Sequence, residues 1–159
     1  MKRVHPDAWI HPFLMWAIII AGVIVSFDIF PKSHLYKSSF LSYIVSAACV
    51  VYWVYFFTRG ISANMEASFS ASRISRLVTS GAYEEMRHPL YSADMALVWG
   101  IFISYPLPAV LMSAAWLTLV MVIWAHLEEQ SLERLFKDAY RAYKKKTWAF
   151  VPFKKKHIF

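Results

Sequence analysis

One cysteine, four glycines and only ten acidic residues stand in a chain of 159 residues. The lone thiol, Cys49, lies inside an apolar run, so an intrachain disulfide and a thiolate metal cluster are both excluded. Charge of either sign is scarce at 17%, and no polar stretch is long enough to make an independent soluble domain. A small-residue cleavage site is missing as well, because Phe30-Pro31-Lys32 follows the first apolar run; no cleaved leader is expected. The histidines give no pair with metal-ligand spacing: His5 and His11 stand beside prolines and read as border residues, so no metal is expected.

What the chain has in quantity is apolar sequence, 58% hydrophobic and 18% aromatic. Four runs, at 9–27, 40–57, 90–104 and 109–126, approach the roughly 20 residues that cross a hydrocarbon core. Tyr52, Trp53, Tyr55, Phe56 and Phe57 at the end of the second run form an interface belt. Tyr105-Pro106-Leu107-Pro108 is a short uncharged turn, which makes the last two runs an antiparallel hairpin. Residues 58–87 are the longest polar segment, with a Ser-rich middle at 68–75 that reads as a loop or a surface-lying helix. The expected fold is therefore all-α: one polytopic membrane domain over 1–159, with about four transmembrane helices and a cytosolic amphipathic C-terminal helix.

Four spans leave both termini on one side. Lys2, Arg3, Arg59, Arg73, Arg76, Arg87 and the C-terminal lysines share that side against Lys32 and Lys37 opposite, which places it in the cytoplasm. The net charge of +7 sits beside spans, so anionic lipid at Lys144 to Lys146 and Lys154 to Lys156 is its expected partner and nucleic acid is not. Gly22, Gly100, Ala47 and Ala48 leave self-association open.

Two polar clusters fall on the cytoplasmic side. Arg87-His88 precedes Pro89, a residue tolerated in the first helical turn, so the pair should sit at a helix mouth where free N–H groups favour an anion. Taken singly, Arg87 reads as an interfacial anchor. Beyond the fourth run, Leu132, Leu135, Phe136, Ala139, Tyr140 and Tyr143 make an apolar stripe on a helix that continues the span. At about 100° per residue Glu128 and Glu129 fall on the edges of that stripe and face the protein or a ligand. Paired carboxylates there need a cation: Arg87 or a cationic ligand.

The run Leu77-Val78-Thr79-Ser80-Gly81-Ala82-Tyr83, then Arg87-His88-Pro89-Leu90-Tyr91, a hairpin, and Glu128-Glu129-Gln130-Ser131-Leu132 with Phe136, Tyr140, Tyr143 and Pro152 resembles the integral-membrane methyltransferases. These include isoprenylcysteine carboxyl methyltransferases and phospholipid N-methyltransferases. The resemblance covers residues 77–153, the half expected to bind cofactor, and departs from the family at Ala93, where Gly is usual, and at Asp94, where an apolar residue is common. Asp94 is either a substrate residue or a hydrogen-bonded structural acid. The resemblance implies S-adenosylmethionine as methyl donor, in a pocket made by Tyr83, Arg87, His88, Tyr91, His126, Glu128, Glu129 and Tyr140, with Arg87 and Glu129 nearest the chemistry.

Those residue types suit the ligand. A guanidinium suits its carboxylate, acids its amine or ribose hydroxyls, and the aromatic surface of Tyr83, Tyr91, Trp124 or Tyr140 its base and sulfonium. Methyl transfer is a displacement at carbon that depends on positioning and water exclusion, and His88 or Glu129 serves as base only for a protonated acceptor. The acceptor, entering from lipid, is a prenylated cysteine carboxylate, an amino-lipid or a small thiol. A nicotinamide-dependent membrane reductase of related fold and a non-catalytic helical scaffold are the competing classes.

Overall fold

The computed structural model describes residues 12–63 and 77–153. The expected span start at residue 9, together with Lys2, Arg3, His5, His11, the 68–75 segment, Arg73, Arg76 and Lys154 to Lys156, lies outside them. Among the described residues the elements are four helices, α1 (Pro12–Ile29), α2 (Phe40–Ala63), α3 (Pro89–Ser104) and α4 (Pro108–Lys146), and a 3-10 turn at Gly81–Glu84. The all-helical membrane architecture read from the sequence is the one observed. Helices α1, α2 and α4 are long and apolar enough to cross a bilayer, and α3 is a shorter apolar helix of 16 residues. Large side chains such as Ile24, Leu41, Val51, Leu119 and Ile123 point outward, as a lipid-facing surface requires.

Helix α2 runs six residues beyond the expected end of its span at Phe57. Its polar extension is held by its own side chains: Thr58 Oγ1 donates to Val54 O at 2.7 Å, and Arg59 reaches Tyr55 Oη at 2.6 Å and Glu85 Oε1 at 2.5 Å. With those groups satisfied, the helix outlasts its apolar stretch.

The closest packing pairs α2 with α3 and α1 with α4, rather than the two arms of the α3–α4 hairpin. Small residues permit both approaches. A Cβ on Gly100 would stand 2.6 Å from Cys49 Cβ, and one on Gly22 would collide with the indole of Trp116. Gly22 and Gly100 are thus taken up inside the chain, while Ala47 and Ala48 stay exposed on α2. One core lies between α1 and α4 (Met15, Ile19, Leu117, Val120, Met121, Trp124), and a second (Phe56, Ala82, Met86, Ala93) joins α2 and α3 to the 3-10 turn. Asp94 accepts from Trp53 Nε1 at 2.9 Å, a cross-helix tie that gives this acid a structural partner. At the far end, Leu35 N–H donates to Pro106 O at 2.8 Å and Ser38 Oγ to Ser104 O at 2.8 Å, which lashes the α1–α2 connection to the hairpin turn.

Helix α4 is not the straight continuation that the periodicity predicts. Lys137, with φ 47° and ψ −119°, interrupts it. Arg141 Nε lies 2.9 Å from Glu133 Oε1, and Lys144 Nζ 2.8 Å from Glu129 Oε2. Fifteen residues of straight helix would separate Glu129 and Lys144 by about 22 Å, so the chain folds back sharply at Lys137. Tyr140 and Tyr143 are buried by the bend, whereas Leu135 and Ala139 of the expected stripe remain exposed.

A lysine at positive φ with that ψ is strained, and glycine is not. Lys137→Gly is expected to stabilise the fold by about 1 kcal/mol, the relieved strain outweighing the added unfolded-state freedom. Thermal unfolding in detergent checks it, and a lower midpoint would contradict the strained elbow.

Candidate functional site

The site is built where the start of α3 meets the bend of α4. Gly81, at φ 64°, turns the chain into the 3-10 segment, and a Cβ there would meet Ala63 at 3.0 Å. The chain then pairs with the segment beyond α4. Met86 and Trp148 form a parallel bridge; Arg87 N–H donates to Trp148 O and His88 N–H to Ala149 O, each at 2.9 Å. Ser92 Oγ donates to Phe150 O at 2.7 Å and lies 2.8 Å from Tyr52 Oη. Residues 147–150 are therefore a strap across the mouth of α3, satisfying N–H groups that precede the helix.

The strap fixes the backbone of Arg87 and His88, and their side chains converge on Glu129. Arg87 Nε donates to Glu129 Oε1 at 2.7 Å, and His88 Nε2 lies 3.2 Å from the same oxygen. Lys144 Nζ takes the other oxygen at 2.8 Å. The remaining reach of Arg87 goes to backbone, since Nη1 donates to Thr147 O and to Lys144 O. Its side chain is 8% exposed and that of Glu129 9%, so the pair is a buried one. Tyr91 Oη donates to Glu128 Oε1 at 2.7 Å, and His88 lies parallel to the Tyr91 ring at 5.6 Å with Nδ1 3.8 Å from Glu128 Oε2. An intrachain carboxylate, Glu129, is thus the anion that Arg87 and His88 meet.

The two adjacent acids, both beyond the apolar stretch of α4, are driven apart. Burial alone would raise Glu129, but hydrogen bonds from His88, Lys144 and Arg87 outweigh it and hold the carboxyl well below the usual carboxylate range. Burial raises Glu128, opposed by His88 and by the Tyr91 hydrogen bond. Tyr83, outside the helices, is pushed up by burial and by the charge of Glu128.

Of the residues named from the sequence, Arg87, His88, Tyr91, Glu128 and Glu129 form one connected network. Tyr83 stands at its edge, its carbonyl accepting from Tyr143 Oη at 2.7 Å. Tyr140 is buried among them with no partner for its hydroxyl among the described residues, and the same holds for Trp124 Nε1 and Ser131 Oγ on α4. His126 is not brought in: it is exposed, and its Nε2 meets Gln130 Nε2 at 2.9 Å. It lies four residues before Gln130, one turn away on the exposed face that the two share, and so turns away from the acids.

Lys144, grouped in the sequence with Lys145 and Lys146 as an anionic-lipid contact, pairs with Glu129 because the fold-back at Lys137 returns it there. Ser92, Thr147 and Phe150 were also missed, two of them because they act through backbone carbonyls that leave no side-chain signature.

Glu129→Gln leaves the Arg87 charge buried without its counter-ion and should destabilise the protein by roughly 3 kcal/mol at neutral pH. Because the native carboxyl is depressed, its stabilisation is present above the ordinary carboxylate range and is lost as pH falls through it, so the gap between wild type and variant narrows below about pH 4. Paired thermal melts across that range check both statements, and a gap that widens on acidification would contradict them.

Among known families, the phospholipid methyltransferase model matches residues 41–139, well over half of the chain. The match reaches back through α2, further toward the N-terminus than the motif-bearing half at 77–153, and ends at the bend of α4. Neither the curated proteins nor the solved structures give a match. With its apolar helices, the matched segment and the paired acids facing Arg87 and His88 in one structure, the chain belongs to the phospholipid methyltransferase family, a family of membrane methyltransferases.

Proposed function

We propose that the protein transfers a methyl group from S-adenosylmethionine to a lipid-embedded or small hydrophobic acceptor at the cytoplasmic face of a membrane. The observation that carries this reading is a set of three buried donors with no partner among the described residues, Trp124 Nε1, Ser131 Oγ and Tyr140 Oη, all on the helix that bears the acids of the buried arginine–acid cluster. A buried donor left unpaired costs about 1–3 kcal/mol, a cost that a polar ligand would remove. Adenosine and an amino-acid head carry the acceptors such donors need, so the residues present fit the group.

When bound, S-adenosylmethionine supplies an electrophilic methyl carbon, and its departure as a neutral thioether balances transfer to a lone pair on the acceptor. The chain's own residues bind, orient and exclude water. Glu128 and Glu129 are the acids for its amine or ribose hydroxyls, and the rings of Tyr91 and Tyr140 offer aromatic surface for the base and the sulfonium. Arg87 and His88 hold Glu129 in place. With its carboxyl depressed, Glu129 is a binding anion rather than a base. Glu128, raised by burial, and His88 beside it are the groups able to take a proton from an acceptor that arrives protonated.

Charge and length support this membrane placement. Arg59, Arg87 and Lys144 to Lys146 crowd the site end and Lys32 and Lys37 the other, the bias expected of a cytoplasmic site. Helix α3, about 24 Å long, is shorter than a hydrocarbon core of about 30 Å, which is compatible with a mouth recessed toward the acyl chains. A lipid acceptor then reaches the cluster sideways, an isoprenylcysteine carboxylate, an amino-lipid or a thiol all being compatible.

Tyr140→Phe tests the reading. It removes an unpaired buried hydroxyl, so the unliganded protein should keep or gain thermal stability. The same change should cut transfer of labelled methyl from S-adenosylmethionine into the lipid fraction of membranes carrying the protein by roughly tenfold, the loss of one ligand hydrogen bond. Unchanged transfer, or wild-type membranes that incorporate no label, would overturn it.

A further inference from the structure

We infer that Lys144 and Glu129 form a built-in stand-in for an amino-acid zwitterion, and that ligand binding splits them: Glu129 takes the ligand's α-ammonium, and Lys144 takes its α-carboxylate. The inference rests on the S-adenosylmethionine reading and reassigns the carboxylate contact that residue type alone would give to Arg87.

The geometry separates the two cations. Arg87 has Nε committed to Glu129 and Nη1 to the carbonyls of Thr147 and Lys144, and its side chain is 8% exposed. Turning it toward a ligand would break its hold on the strap that positions His88. Lys144 is held differently. Its side chain is 39% exposed, and its Nζ lies 2.8 Å from Glu129 Oε2 and 4.0 Å from Glu133 Oε2. An ammonium on a flexible four-carbon stem exchanges partners more readily than a forked guanidinium fixed at several points.

Charge is conserved in the exchange. An α-amino acid presents an ammonium and a carboxylate two bonds apart, and the chain presents the complementary carboxylate and ammonium 2.8 Å apart. Inserting one pair into the other replaces a single ion pair by two, with no net charge buried. Glu129 stays bound to Arg87 and His88 through Oε1 throughout, so the acid that receives the ligand's amine does not move. Lys144 is available for this only because the chain folds back at Lys137.

Equilibrium binding of S-adenosylmethionine and of decarboxylated S-adenosylmethionine, which keeps the amine and lacks the carboxylate, tests the exchange in the full-length protein in detergent. Lys144→Ala should weaken S-adenosylmethionine roughly tenfold to a hundredfold and leave the decarboxylated compound nearly unaffected; Lys144→Arg should restore much of the difference. Because both ligands are measured on one preparation, damage to folding would lower both affinities together. Wild type that binds S-adenosylmethionine, with a variant that loses both ligands equally or neither, overturns the zwitterion exchange and leaves the proposed function standing. Wild type that binds neither ligand overturns both.

Discussion

The buried pair of Arg87 and Glu129 is the interaction on which the rest of this structure depends. A charge nine-tenths removed from solvent survives only if every strong donor and acceptor around it is used. Arg87 meets that condition with three different parts of the chain: the acid on α4, the carbonyls at the end of the folded-back arm, and its own backbone N–H paired with the strap. The mouth of α3, the first arm of α4 and the C-terminal segment are held together through one side chain. Hydrophobic packing between α2 and α3 and between α1 and α4 makes the helical frame, but in a bilayer that packing lacks a strong hydrophobic drive. The polar cluster supplies the specificity that sets the two pairs of helices against each other.

A second constraint is the bend at Lys137. A straight α4 would carry Tyr140, Tyr143 and Lys144 away from the membrane into solvent. Folding back returns them to the acids, which buries two tyrosines and surrounds Glu129 with cations. The consequence is electrostatic as well as steric. Glu128 and Glu129 are neighbours in sequence, yet one is depressed by three donors and the other raised by burial. A pair of like groups in unlike states is what a site needs in order to hold a cationic ligand and still accept a proton.

Much of this was legible in the sequence. Arg87, His88 and Pro89 ahead of an apolar run, and Glu128 and Glu129 in phase with a buried stripe, are side-chain patterns on local helices, and local periodicity survives folding. The all-helical membrane fold was legible for the same reason. Three features were not. The bend at Lys137 falls on a residue type that carries no breaker signal, so straight-helix phase kept Leu135 and Ala139 in the stripe and gave no sign that Lys144 returns to Glu129. The strap at 147–150 works through carbonyl oxygens, which every residue possesses. The preferred pairing of α2 with α3 and α1 with α4 depends on glycines meeting particular partners, Cys49 and Trp116, across elements far apart in sequence.

We propose that this polar cluster, closed by the bend and the strap, binds S-adenosylmethionine. The deciding experiment is calorimetric titration of that compound into the detergent-purified protein, with a reduced nicotinamide dinucleotide titrated in parallel. Saturable binding of S-adenosylmethionine at a single site, and none of the dinucleotide, is the expected result. A folded protein that binds only the dinucleotide, or neither compound, would contradict it.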